Sequence, residues 1–406
     1  MFLSQYANVF RRHGALVGFG FLMAFISSGG QTYFVAIFGP QIQETFELSH
    51  TEWSSFYLIG TLASALILPW SGQFIDRLNL KLYTIIVVLG LALACGFMSL
   101  ASSPVFIIIG IFLLRHTGQG LSSHISVTTM ARYLNKDRGK GIALSSMGYA
   151  VGEAALPVLA VVTIAVIGWR QTYFSAGVIV MILLLLAVWL LKDQTTSYPK
   201  PSDHADPQTI LDASNVISVS RNDMLRERRF YFIVLPVIVV SLVQTALFFH
   251  HLNIAHIKQW SGTWVTGNYW VYALSSIVTS FIAGPCIDRF TAVKIAPLAL
   301  FPICIALGLL IPAQHPLWVV PYMVLLGMTS GLNFTALSAL WAELYGPQYL
   351  GAIKSTIGAI GVFATALGPV TIGVLLDLQV SFAMLCSVLI AMCLGASASI
   401  YVGLRK

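Results

Sequence analysis

Two ionisable side chains stand where the surrounding sequence offers them no water. Arg115 lies about 11 residues into one apolar window and Glu153 about 14 residues into the next, which at 1.5 Å per residue puts both near mid-bilayer depth. Charges at that depth are costly, and they are kept for function or held in pairs. The short link between the two windows makes them antiparallel neighbours, so an Arg115–Glu153 ion pair is expected. Two roles fit such a pair: handling of a substrate and a proton, or a buried contact that only fixes helix packing. The flanking residues share the polarity. Arg115, Gly118, Gln119, Ser122 and Ser123 follow an α-helical spacing, and Ser146, Tyr149, Glu153 and Pro157 do the same on the neighbouring helix.

Further polar candidates carry no charge. Gln31 follows Ser27-Ser-Gly-Gly30, a run that reads as a locally irregular helix with exposed backbone polar groups. Gln244 shares a face with Phe248 and His251, while His250 points elsewhere and reads as structural. Asn268, Tyr272, Ser275 and Thr279 line up on another helix, and Asn333 sits deep in a later one. Each of these fits a ligand contact and an interhelical hydrogen bond equally well. The five cysteines show no ligand spacing, so neither a metal nor another cofactor is expected. Nucleotide-binding G-x-x-x-x-G-K-[ST], H-E-x-x-H and G-x-S-x-G elements are missing from the sequence, which argues against ATP-driven transport and hydrolytic chemistry and for a protein that is not an enzyme.

The elements that must hold these residues follow from composition. A chain of 406 residues that is 57% hydrophobic and 9% charged has far too little charge to cover a soluble fold. Windows of high hydropathy fall near 14–38, 52–75, 82–101, 104–131, 139–168, 171–191, 229–256, 263–287, 292–312, 316–343, 350–376 and 380–404. Twelve transmembrane helices account for the whole chain, an all-α membrane protein with a bundle over 1–192, a cytoplasmic linker over 193–225 and a second bundle over 226–406. The linker's apolar residues Ile210, Leu211, Val216 and Ile217 fit either linker packing or the bilayer surface. Nearly every lysine and arginine falls on one side of this topology; Arg170 and Lys258 lie opposite and Arg115 within a span. By the positive-inside rule both termini are cytoplasmic, and the net charge of +7 reflects topology without calling for nucleic acid.

The two bundles repeat each other at a shift of about 212 residues. Gly72-Gln-Phe-Ile-Asp76-Arg77, followed by Lys81, returns as Gly284-Pro-Cys-Ile-Asp288-Arg289, followed by Lys294. Tyr57 falls on Tyr269, Gly139 on Gly351 and Pro157 on Pro369. A six-helix unit has been duplicated, as in transporters that bind their solute between two repeats.

These paired loop elements, the Arg115-His-Thr-Gly-Gln-Gly120 stretch and the Gly168-Trp-Arg-Gln-Thr-Tyr-Phe174 corner together resemble the major facilitator superfamily over essentially the whole chain. Gly39-Pro40 and Leu48-Ser49 look like its monocarboxylate and oxalate/formate branches. Gly148-Tyr-Ala-Val-Gly152-Glu153 departs from the G-P-x-x-G-G element of family antiporters, which speaks against drug/proton antiport. The resemblance implies a monomeric secondary transporter of the inner membrane, moving a small organic anion such as a monocarboxylate by proton-coupled symport and alternating access. It also places Arg115 at the functional position of the fourth helix. On this reading Arg115 is released when Glu153 takes a proton, and a carboxylate takes the vacated place. The alternatives are an exporter of an amphiphilic or neutral compound and, least favoured, a non-transporting receptor. Gly72, Asp76, Arg77, Lys81, Gly284, Asp288 and Arg289 read as a conformational latch, the glycines permitting close helix approach.

Overall fold

The computed structural model describes residues 2–134, 138–192, 219–346 and 350–405. All regular structure among them is helical. Eleven of these helices are long and apolar enough to cross a bilayer. The longest, Lys140–Leu190, would run about 77 Å if straight, more than twice a hydrocarbon core. It is two spans: Gly168, at φ 77° and ψ 163°, breaks it in a conformation that only glycine adopts without strain. The chain therefore crosses twelve times, in two compact units, Met1–Pro201 and Ser202–Lys406.

The first unit comprises α1 (Ala7–Gly30), α2 (His50–Gly72), α3 (Leu80–Ser99), α4 (Pro104–Met130), α5 (138–167) and α6 (169–190). Ser49 opens α2 as a capping box: its hydroxyl accepts from the Glu52 N–H at 3.1 Å, and the Glu52 carboxylate accepts from the Ser49 N–H at 2.8 Å. Close backbone approach organises the bundle. A side chain at Gly148 of α5 would run into the α1 backbone at Phe21 and Phe25, and one at Gly152 would overlap Ser28. The Ser126 hydroxyl donates to the Gly20 carbonyl at 2.7 Å, tying α4 to α1. Beyond Gly168 the α5–α6 corner is pinned by side chains. Trp169 donates to Thr45 Oγ1 at 3.1 Å, Arg170 donates to the Ala101 carbonyl at 2.7 Å, and Tyr173 stacks on Phe38.

The second unit comprises α7 (Arg228–Ile257), α8 (Tyr269–Phe290), α9 (Ala292–Leu310), α10 (Val319–Tyr345), α11 (Leu350–Asp377) and α12 (Phe382–Leu404). Gly368 of α11 lies against the α7 backbone at Leu242, and Gly327 and Gly331 of α10 lie against the α8 backbone at Tyr272 and Ser276. Ser275 Oγ donates to the Val324 carbonyl at 2.7 Å. Ser275 and Thr279, on the polar face of α8, thus pack against α10.

Residues 219–225, read from sequence as linker, belong to this unit. Ser220 caps a short helix, Arg221–Arg226, and the Val219 N–H donates to the Tyr345 carbonyl at 3.0 Å. Met224, fully buried, enters a core with Phe230, Trp341, Tyr345 and Ile400. Val219 and Leu225 pack against the same core, and burying the methionine side chain alone contributes about 1.5–3 kcal/mol. The patch from Ile210 to Ile217 lies outside the described residues.

Candidate substrate site

The first helix comes apart where its sequence turns small and polar. After Ile26 the chain tightens into a 3₁₀ turn over Ser27–Gly30, goes extended at Gln31 (ψ 153°) and resumes as a helix at Thr32–Val35. Ser27 Oγ donates back to the Ala24 carbonyl at 2.6 Å, taking up one group of the disrupted ladder, and Tyr33 donates to Ser28 Oγ at 2.8 Å across the break. The extended step at Gln31 interrupts the ladder beside Gly30.

The fourth helix is irregular at the same place. Arg115–Ser122 is a π-helical turn, and Ser122 Oγ donates to the carbonyl five residues back, Thr117, at 2.7 Å. This departs from the α-helical spacing expected from sequence; the wider turn brings Arg115, His116, Thr117 and Gly118 into the interior together. Gly118 meets Gly30 backbone to backbone, and a methyl group on Gly118 would fall 2.6 Å from the Gly30 nitrogen. Only glycine at both positions allows this crossing.

Arg115 is the residue this crossing positions. It is 1% exposed. Nη1 donates to the Gly30 carbonyl at 3.1 Å and to Thr32 Oγ1 at 3.3 Å. Thr32 Oγ1 shares a hydrogen bond of 2.5 Å with the Tyr57 hydroxyl, and the guanidinium carbon lies 5.0 Å from the centre of the Tyr57 ring. Nε and Nη2, buried as well, have no hydrogen-bond partner among the described residues. Those two nitrogens form one edge of the guanidinium, the fork that takes a carboxylate side-on through two parallel N–H···O bonds. A buried cation with three of its five donors unused is costly, and an anion on that edge recovers the cost.

The expected Arg115–Glu153 ion pair is not formed among the described residues. Arg115 is turned to the opened backbone of α1, and Glu153 is half-buried on α5 with no hydrogen bond or ion pair there. The sequence argument placed both at the same depth but could not see that the break in α1 would supply a competing acceptor. Tyr149 faces Ser123, and Gln31 is half-buried at the break itself.

In the second unit the predicted residues make different contacts. His251, 1% exposed, lies between two tyrosines, Nδ1 at 2.7 Å from the Tyr269 hydroxyl and Nε2 at 2.8 Å from that of Tyr322. Phe248 packs edge-on against Tyr269 and Tyr272. Gln244 donates to the Leu326 carbonyl at 3.2 Å, and Asn333 donates to the carbonyls of Ala299 and Thr329. His250 is structural, its Nε2 at 2.9 Å from the Pro369 carbonyl. Tyr57 and Tyr269, matched by the internal repeat, are both fully buried and each touches the buried cationic or imidazole group of its own unit. The repeat alone was the signal for Tyr57, and for Thr32, which falls on Thr245; Tyr322 carried none.

At the loop elements, Arg77 and Arg289 are exposed, and the side chains of Asp76 and Asp288 lie outside the described residues. Among the described residues the glycines make no close helix approach within their units. A methyl group on Gly284 would meet nothing within 4 Å, and one on Gly72 would touch only His124, at 3.8 Å.

Known proteins share this architecture. The chain is similar to the nucleoside transporter NupG, with a TM-score of 0.73 at 11% identity over 96% of this chain and 99% of that one. A bacterial homologue of the human lysosomal transporter Spinster, in inward-facing and unoccupied form, superposes with a TM-score of 0.66 at 14% identity, covering 97% and 94% of the respective chains. No curated protein sequence matches. The family model described as Major Facilitator Superfamily matches residues 20–369 and 254–403, most of the chain, and with the duplicated six-helix units this places the protein in that family of multi-pass membrane transporters.

Proposed function

We propose that the chain is a secondary transporter of a small organic anion, a monocarboxylate being the simplest fit, that moves its substrate by alternating access with a coupled proton. The observation that carries this reading is the unpartnered Nε/Nη2 edge of Arg115, buried where the first and fourth helices are both irregular. A neutral solute leaves that edge uncompensated, whereas a carboxylate matches it in charge and in geometry. Charge counting supports proton coupling. Arg115, Glu153 and a bound carboxylate sum to one negative charge, and a single proton on Glu153 brings the occluded assembly to neutrality, the state that is least costly to move through a bilayer. Glu153 acts here without holding Arg115 beforehand.

In this reading the membrane is the inner one, and both termini lie in the cytoplasm, an orientation supported by the basic residues gathered on that side. Gly72 to Lys81 and Gly284 to Arg289 act at the cytoplasmic ends as the conformational latch, through their charged residues.

Uptake of labelled small carboxylates into proteoliposomes under an imposed pH gradient tests this function. The expected result is accumulation that collapses when the gradient is dissipated. Accumulation of a nucleoside in preference to every carboxylate tried would overturn the anion reading.

A further inference from the structure

A cavity lies in the first unit beside the interrupted stretch of the first helix. It has a volume of about 150 Å³, and its walls come from α1, α3, α5 and α6, with Gly29, Phe34, Cys95, Leu156, Ala160 and Ala176 among them. The hydroxyls of Thr163 and Thr172, both in the wall, donate to carbonyls of their own helices, at Leu159 and Gly168, which leaves Ser175 as the one remaining hydroxyl there. An apolar void of this size does not hold water. Its rim residues Leu159 and Ile179 are 56% and 55% exposed and continue into the exposed apolar surface of Val162, Ile182 and Leu186. In a membrane protein that surface meets lipid tails. From Thr172 to Leu183 the groove follows α6 for about 16 Å, half of a 30 Å hydrocarbon core and so the depth of one leaflet.

We propose that this groove is a binding site for one acyl chain of a membrane lipid, seated against the interrupted stretch of α1. The wall offers a ligand almost no hydrogen bonding, its mouth opens on the lipid-facing surface, and its length matches a chain lying along one leaflet. Gly29 is part of the wall, and a methyl group there would lie 3.6 Å from Leu91, an ordinary packing distance. A chain in the groove packs on Gly29 and Phe34, the residues on either side of the break that carries Gly30 to Arg115. It supplies from the bilayer the packing that a continuous α1 would otherwise have provided.

The test reconstitutes the protein in phosphatidylcholine and phosphatidylglycerol vesicles with a trace of phosphatidylcholine bearing a diazirine at mid-chain, followed by irradiation and peptide mapping of the adducts. Adducts should concentrate on wall residues between Leu156 and Leu183, several-fold above those on the exposed Leu185 and Trp189, and should disappear from the wall in Ala176→Phe, whose ring fills the groove. In detergent, stripping lipid should lower the Tm of the natural protein more than that of Ala176→Phe. Adducts spread evenly over lipid-facing residues, or wall labelling unchanged by Ala176→Phe, would overturn the proposal. Should Ala176→Phe fail to fold, the adduct map of the natural protein decides alone, since even labelling there already refutes a site.

Discussion

Replacing Arg115 with lysine keeps the charge and removes the fork. In the natural protein Nη1 holds the Gly30 carbonyl and Thr32, while Nε and Nη2 remain for a ligand. One ammonium cannot reach both sides of that arrangement. If it stays on the Gly30 carbonyl, a bound carboxylate loses two charge-assisted hydrogen bonds and regains at most one. A net loss of one such bond is worth about 1.5–3 kcal/mol, which corresponds to roughly a 10- to 150-fold rise in Kd. Titrating purified Arg115→Lys with a transported carboxylate, followed by calorimetry, measures this directly, with Tm recorded in parallel. The expected protein folds with a small Tm loss and binds the anion weakly. Should Arg115→Lys bind within twofold of the natural protein while staying folded, the fork plays no part in recognition. Should Tm collapse with binding retained in the surviving fraction, Arg115 is a packing residue of the α1 break.

Glu153→Gln carries the neutral form permanently, so counterflow of labelled substrate should persist while uptake driven by a pH gradient is lost; intact proton-driven accumulation in a well-folded variant would end the coupling role. Gly118→Ala forces a methyl group to within 2.6 Å of the Gly30 nitrogen and should lower stability by about 1–3 kcal/mol, read as a drop in Tm, and an unchanged Tm would show that the crossing of α1 and α4 can open freely. Met224→Ala, at the buried residue of the short helix before α7, should cost about 2–5 kcal/mol, and a change of Tm too small to detect would mean that this side chain contributes nothing to the unit's core. Asp76→Asn should slow transport without abolishing equilibrium binding, and Asp288→Asn should do so less, because Phe290 and Thr291 depart from the repeat's pattern; loss of binding in folded Asp76→Asn would refute a latch.

The spans and the duplication were legible because hydrocarbon demands runs of apolar residues and the repeat copies whole loop elements. The broken first helix was legible as well, since Ser27, Ser28, Gly29 and Gly30 cannot sustain a helix by side-chain packing. The partner of Arg115 was not. Depth along a helix can be counted from sequence, but direction around it cannot once a π-helical turn alters the spacing between Arg115 and Ser122. The sequence likewise held no sign that the freed Gly30 carbonyl would compete with Glu153 for the guanidinium. Gly72 and Gly284 mislead for a related reason: a glycine in a repeated element reads as close packing, yet a side chain at either would have room within its unit. Residues 219–225 look like linker because their composition is largely polar, and the burial of Met224 and the bond from Val219 to Tyr345 show otherwise.

The central claim is that the free edge of Arg115 is an anion site. A series of small monocarboxylates and their isosteric neutral amides, each titrated against the purified natural protein with Tm and calorimetric heat as readouts, tests it most directly. The account predicts saturable stabilisation by at least one carboxylate and none by its amide, with the stabilisation lost in Arg115→Lys. Equal stabilisation by an acid and its amide, undiminished in Arg115→Lys, would contradict it.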